Sequence, residues 1–164
     1  MTAAPTNGQI VIVEAHAEPH LMCARELIKE YLALGREFPA TLQHELDLLP
    51  GDYAPPRGAL LVCRMAGQCG GVVGLMPVGD GICEMKRLYV RASFRRHGIG
   101  RLLCVTIMDR AREGGYKRMR LDVVPNRSEA ITLYRTLGFR VAEPFHAYSF
   151  PMVFLERNLL LWSR

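Results

Sequence analysis

The sequence predicts a single α/β domain in which about four helices pack on a mixed sheet of about six to seven strands. Three observations predict it. Short β-branched or apolar runs alternate with amphipathic runs in the order β-α-α-β-β-β-α-β-α-β-β. No internal repeat, low-complexity tract or interdomain linker interrupts that order. A length of 164 residues, with 49% hydrophobic and 23% charged residues, suits one sizeable core and leaves little room for a second.

Residues 1–8 read as a loose tail and 9–164 as the domain. Ile10–Glu14 is a β-branched strand. Pro19 opens a helix to about Leu34, with Leu21, Ala24, Leu27, Ile28, Tyr31 and Leu32 on one face and Gly35 as its stop. A shorter helix follows from Ala40 to Leu49, and Pro50-Gly51 and Pro55-Pro56 mark a rigid loop. Ala59–Arg64 and Cys69–Met76 form a hairpin around Ala66-Gly67, and Ile82–Val90 is the next strand after Gly79-Asp80-Gly81. A helix from Leu102 to Glu113 ends at Gly114-Gly115, and a strand covers Lys117–Val124. Asn126 is placed to cap a helix over Arg127–Leu137, with Glu129 near a capping-box position and Gly138 as the left-handed stop. Phe139–Ala142 and Met152–Leu160 are the closing strands.

Charge is unevenly placed. Lys86–Arg140 holds fourteen of the 21 Lys and Arg but four of the 16 Asp and Glu. That asymmetry points to an anionic partner for the second half: nucleic acid, a membrane surface or a phosphorylated cofactor. No uncharged apolar run approaches the roughly 20 residues needed to span a bilayer, so a membrane partner is not expected. Cys23, Cys63, Cys69, Cys83 and Cys104 show neither C-x-x-C nor a metal-ligand spacing, so no metal is expected. Their odd number and the lack of a signal peptide read as reduced, buried thiols in a cytoplasmic protein.

The centre of the chain is Arg95-Arg96-His97-Gly98-Ile99-Gly100-Arg101, between a strand and a helix. Glycines one residue apart at a helix start let a bulky anion approach the backbone. The orphan N–H groups and the positive end of the helix dipole then favour phosphate. A P-loop fails, because nothing matches G-x-x-x-x-G-K-[ST]. A dinucleotide fingerprint gains from Gly98, Gly100 and the strand-end Asp122, but Leu103 stands where its third glycine belongs and too few βα units follow. Nucleic-acid binding is allowed by the charge but has no recognisable motif.

Arg95-x-x-Gly98-x-Gly100 resembles the Q/R-x-x-G-x-G/A signature of GNAT-superfamily N-acetyltransferases. Asn126, Ala130, Tyr134 and Gly138-Phe139 match that family's Asn-x-x-x-Ala-x-x-x-Tyr-x-x-x-Gly-Phe pattern. The resemblance covers Ile82–Arg140 and extends in strand order back to Ile10, while Pro19–Arg57 falls in the family's variable acceptor region. It implies a GNAT-like fold with a mostly antiparallel sheet, acetyl-CoA as cosubstrate and direct transfer of acetyl to a primary amine of a small molecule or peptide. It also implies that the backbone of Arg96–Arg101 (Arg96, His97, Gly98, Ile99, Gly100, Arg101) cradles the pyrophosphate with arginine side chains, Arg95 included, in support. Leu88, Tyr89 and Val90 would pair with the pantetheine arm, and Asn126 would touch the cosubstrate.

By the same resemblance, an N–H near Leu88 would stabilise the oxyanion, and Tyr134 would protonate the leaving thiolate. Glu84, on the strand leading to that point, is the first candidate for the general base, with His146 and a water chain as alternatives. Exposed pairing of Glu84 with Lys86 and Arg87 is the competing reading. Cys83 and Cys104 read as core filler, against a ping-pong cysteine mechanism. His16, His20 and His44 read as surface residues. Glu37, Glu45, Asp47 and Asp52 hint at a cationic acceptor, whereas Arg36 and Arg57 would suit a carboxylate. Homodimers are common for the resembled fold, and no residue here bears on that. The alternative function is a non-catalytic acyl-CoA-sensing or nucleic-acid-interacting protein on the same fold.

Overall fold

The computed structural model describes residues 8–35 and 40–163, the side chains of Ala40 and Thr41 excepted. The expected tail up to residue 7, together with Arg36 and Glu37, lies outside the described residues. Among the described residues the chain runs β1 (Ile10–Glu14), α1 (His20–Ala33), α2 (Ala40–Asp47), β2 (Ala59–Met65), β3 (Gln68–Gly79), β4 (Ile82–Val90), α3 (Ile99–Glu113), β5 (Arg118–Val123), α4 (Ser128–Thr136), β6 (Arg140–Val141) and β7 (Val153–Asn158). One seven-stranded sheet has the order β1-β2-β3-β4-β5-β7-β6. Every neighbouring pair is antiparallel except β4–β5, which the α3 crossover makes parallel.

Turn chemistry sets the register. Ala66 and Gly67, at φ 52° and 75°, and Asp80 and Gly81, at φ 55° and 76°, have the paired positive φ of tight hairpin turns. The central strands are buried on both sides. Leu61, Cys63, Val73, Met85, Met119 and Leu121 meet Leu103, Cys104, Ile107 and Met108 of α3 on one face. Leu60, Val62 and Val72 meet Leu27, Ile28 and Leu46 of α1 and α2 on the other. At roughly 25 cal/mol per Å² of apolar surface removed from water, these two layers are the main source of stability.

Helix ends follow local rules. The N–H groups of Gly138 and Phe139 return to Arg135 and Tyr134, and Gly138 sits at φ 87°, so α4 ends as the glycine predicts. Its start differs. Arg127 occupies the cap position with no side-chain cap bond, because the turn closed by Arg127 N–H on Val124 O carries Asn126 past it. Asn126 is exposed and is not the cap. β7 stops at Asn158 rather than Leu160, since the Asn158 side chain accepts from Leu160 N–H and starts a 3-10 turn over Leu159–Leu161.

The cysteine expectation needs correcting. Cys23 of α1 and Cys69 of β3 form a disulfide, with Cα atoms 5.9 Å apart. The pair was illegible because the two are 46 residues apart and meet only when α1 packs on the sheet. Cys63, Cys83 and Cys104 are free and buried, as expected. No helix among the described residues is long and apolar enough to cross a membrane.

Candidate active site

The site begins where the sheet divides. β4 and β5 pair only over Ile82–Glu84 and Arg118–Arg120. Beyond that, β4 continues along β3 while Leu121–Val123 follow β7. The two strands part with backbone on each side of a slot. Arg91 N–H bonds Gly70 O on β3, so the main chain of Val90 faces the other way, and its carbonyl accepts from Arg95 Nε at 3.1 Å. Alternation along the strand turns the main chain of Leu88 to the same side.

Just past the fork β4 bulges. The register with β3 shifts between Val72 and Gly74, and Arg87 takes φ 60°. A left-handed non-glycine costs about 1–2 kcal/mol, so side-chain contacts must hold it. Arg87 makes a bidentate pair with Glu45 of α2, at 3.1 and 3.3 Å, and Tyr53 OH donates to the same carboxylate at 2.9 Å. Tyr53 reaches there because Gly74 leaves its ring room: a Cβ at Gly74 would lie 2.7 Å from it.

At the slot's end, Arg96 and Gly98 have φ 68° and 75°, and α3 starts without a side-chain cap. Leu102 N–H is the first to find a helical carbonyl, on Gly98, which leaves the N–H groups of Ile99, Gly100 and Arg101 as the helix's orphan donors. Nothing lies within 4 Å of a Cβ built on Gly98. Arg95, Arg96, His97 and Arg101 are exposed around this cradle. By contrast Lys86, Arg87, Arg91, Arg110, Arg118 and Arg120 are ion-paired. Arg95, Arg96 and Arg101 make no ion pair with any described residue and put positive charge around the orphan N–H groups of the glycine loop, an arrangement that suits phosphates.

Glu84 is not the exposed strand carboxylate of the competing reading. It is 2% exposed, the one buried charged residue among those described. His146 Nε2 contacts its two oxygens at 2.9 and 3.2 Å, Arg120 approaches at 3.3 and 3.4 Å, and Lys86 stands at 3.8 Å. Arg87 is turned away to Glu45. With Nε2 on the carboxylate, His146 Nδ1 has no partner among the described residues. Asp122 completes a trio with Glu84 and His146 whose polar atoms all lie within 4.8 Å of one another. Those are ligand types for a cation, but Arg120 and Lys86 already neutralise Glu84 and oppose a metal ion.

Tyr134 of α4 is buried, with its ring 5.9 Å from Phe139, and burial holds its phenol well above the usual tyrosine range. Arg127, at the start of α4, lies 4.6 Å over the Tyr31 ring of α1. Burial raises the Cys83 and Cys104 thiols to about 12, which keeps both protonated at neutral pH.

Other expectations fare differently. Glu45 is occupied by Arg87 and Tyr53, and Asp47 accepts from Gln43. Asp52 is exposed, as are His16 and His44. The Arg57 carbonyl accepts Tyr116 OH beside the C-terminal end of α3. The sequence reading missed Arg120, Tyr148 and the Arg87–Glu45–Tyr53 lock. The run Phe145-His146-Ala147-Tyr148-Ser149-Phe150 was the available signal, since so many aromatics in one loop need a reason.

Comparison with known proteins agrees with this geometry. Residues 24–139 match the model of the acetyltransferase (GNAT) family. An uncharacterised N-acetyltransferase of Schizosaccharomyces pombe is 38% identical over 138 residues, covering 80% of this chain and 83% of that protein. The crystal structure of a GNAT-family acetyltransferase from Staphylococcus aureus superimposes with a TM-score of 0.79 at 19% identity, over 92% of this chain and 99% of that one. A Klebsiella pneumoniae protein whose structure was assigned as an acyl-CoA N-acyltransferase gives 0.75 at 25% identity, over 93% and 99%. The family implies an acyl-CoA derivative and an acceptor as substrates, and the orphan N–H groups, open glycine and strand fork fit such a donor. The chain is an N-acetyltransferase of the GNAT superfamily.

Proposed function

We propose that the donor is acetyl-CoA and that the acetyl group moves directly to a primary amine of a small molecule or peptide. The observation that carries this reading is the fork beyond Glu84, with the glycine cradle at one end and the His146–Glu84 pair and Tyr134 grouped around it.

The N–H groups of Ile99, Gly100 and Arg101 receive the pyrophosphate, with the exposed Arg95, Arg96, His97 and Arg101 supplying charge. The backbone of Leu88 and Val90 holds the pantetheine arm in the slot, the main chain of Tyr89 between them being turned to β3, and the exposed Asn126 remains available to it. Acetyl-CoA supplies a thioester carbon. As the amine's N–C bond forms and the C–S bond breaks, the Leu88 N–H takes the oxygen's charge. Tyr134 donates its proton to the departing sulfur, and its raised pKa keeps that proton in place at neutral pH.

His146 and Glu84 divide the base role that the sequence offered to either. Nε2–H donates to the buried carboxylate, which fixes the tautomer and leaves Nδ1 to take the amine's proton. The two protonated thiols of Cys83 and Cys104 argue against an acyl-cysteine intermediate. A cytoplasmic setting and self-association belong to the same proposal; the Cys23–Cys69 pair bears against the first.

Isothermal titration tests the reading. Acetyl-CoA should bind the wild type and bind far more weakly to a Gly98→Val/Gly100→Val variant, and equal affinities would overturn it.

A further inference from the structure

We propose that the acceptor is a primary ammonium carried on an aromatic body, held through Asp122 and the aromatic shelf of the β6–β7 loop. This rests on the acetyltransferase reading above and names the substrate class of the same site.

Asp122 lies on β5, across the fork from β4. Its carboxylate accepts Tyr148 OH at 2.6 Å and makes no ion pair with any described residue. It therefore differs from Glu84, Glu45 and Glu30, each of which is held by an arginine. Its oxygen is within 4.8 Å of the His146–Glu84 pair. An ammonium bound there supplies the missing cation and sits beside the group that accepts its proton. The proton passes to His146 Nδ1, and the nitrogen lone pair is freed for attack.

The same loop provides an apolar seat. Phe145 packs edge-on against Phe154 at 4.9 Å, Tyr148 lies 6.2 Å from Phe154, and Phe150 lies 5.3 Å from Tyr148. Tyr148 and Phe150 nonetheless stay 40% and 53% exposed. Two neighbouring rings left in solvent beside an unpaired carboxylate fit a ligand with a cationic head and a flat apolar body. A long polyamine has no group for the rings. An amino acid brings a second carboxylate towards Asp122, and the nearby cations Arg120 and Lys86 are already held by Glu84.

The probe is 2-phenylethylamine, titrated calorimetrically into the protein in the presence of CoA. It should bind more tightly than phenylalanine or spermidine. Asp122→Asn should weaken it on the order of tenfold to a hundredfold, as expected for loss of a charge-assisted contact, without changing acetyl-CoA affinity. Phe150→Ala, a change at an exposed ring, should also weaken it and leave the fold intact. Failure of 2-phenylethylamine to bind a protein that does bind acetyl-CoA overturns the acceptor assignment alone, as does equal binding to Asp122→Asn and wild type. Failure to bind acetyl-CoA as well overturns both this inference and the reading it rests on.

Discussion

On the proposed reading, the donor half and the acceptor half of the site are built in different ways. The donor half, from β4 through the glycine loop into α3, is made of backbone: orphan N–H groups, a positive φ at Gly98 and a strand whose β5 side is open past Glu84 while β3 still pairs with the other side. The acceptor half is made of side chains from separate elements: Glu84 from β4, Arg120 and Asp122 from β5, His146 and Tyr148 from the β6–β7 loop. A backbone site needs a few residues at fixed spacing in one stretch of chain. A side-chain site needs several segments brought together, and its identity can change with any of them.

If that contrast is right, the largest effect should come from breaking the backbone site. Valine at Gly98 meets a left-handed φ, and branched side chains at both glycines fill the space over the orphan N–H groups. Acetyl-CoA affinity in Gly98→Val/Gly100→Val should fall on the order of a hundredfold or more, by calorimetry, given the cost of a left-handed non-glycine and the lost anion contacts.

The groups proposed as catalytic come next. Tyr134→Phe should lower kcat by roughly 10²-fold with little change in acetyl-CoA affinity, as for loss of a general acid. Burial raises the Tyr134 pKa, so its proton is present below the ordinary tyrosine value and beyond it. The wild-type rate should accordingly show no loss attributable to Tyr134 as pH rises from about 7 to about 10. A Tyr134→Phe deficit that vanished at the upper end of that window would place the acid elsewhere.

His146→Gln should reduce kcat/KM by roughly 10²-fold at neutral pH, and the protein should remain folded because His146 is exposed. Glu84→Ala is a different case. It leaves Arg120 and Lys86 facing a buried vacancy, so it should destabilise by about 3–5 kcal/mol as well as slow turnover. Chemical denaturation of the two variants separates these roles.

The smallest effect on the donor half should come from the disulfide, which lies on the α1 side of the sheet. Closing a loop of 46 residues contributes about 4 kcal/mol in the chain-entropy view. Reduction, or a Cys23→Ser/Cys69→Ser variant, should therefore lower Tm by about 10 °C. Acetyl-CoA affinity should change little, since the glycine loop lies at the start of α3 and β4 meets α1 through side chains, Tyr89 and Arg91 bonding Glu30, rather than through the backbone of the slot.

What the sequence disclosed follows the same division. The strand and helix order, the turns at Ala66-Gly67 and Gly138, and the Arg95–Arg101 cradle were legible because local rules govern them: paired positive φ, a helix stop, glycines at a helix start. The place of Tyr134 on α4 was expected from the predicted helix, while its proton-donor role comes from the family resemblance and is part of the proposal. Contacts between distant segments were not. The sequence leaves Glu84 between a base and an exposed ion-paired carboxylate, because its burial depends on His146, 62 residues later, and Arg120, 36 residues later. Cys23 and Cys69, or Glu45 and Arg87, likewise meet only after α1 and α2 have docked on the sheet. Asn126 missed its cap by one residue, the scale at which helix ends are decided by the preceding turn.

The most direct test of the central claim is acetyl transfer itself: acetyl-CoA and a panel of primary amines incubated with wild type and Tyr134→Phe, with free CoA thiol and N-acetylated product measured together. The account predicts equal amounts of thiol and N-acetyl amine from the wild type and roughly 10²-fold slower formation of both from the variant. Thiol release without N-acetylated amine, or equal rates from the two proteins, would contradict it.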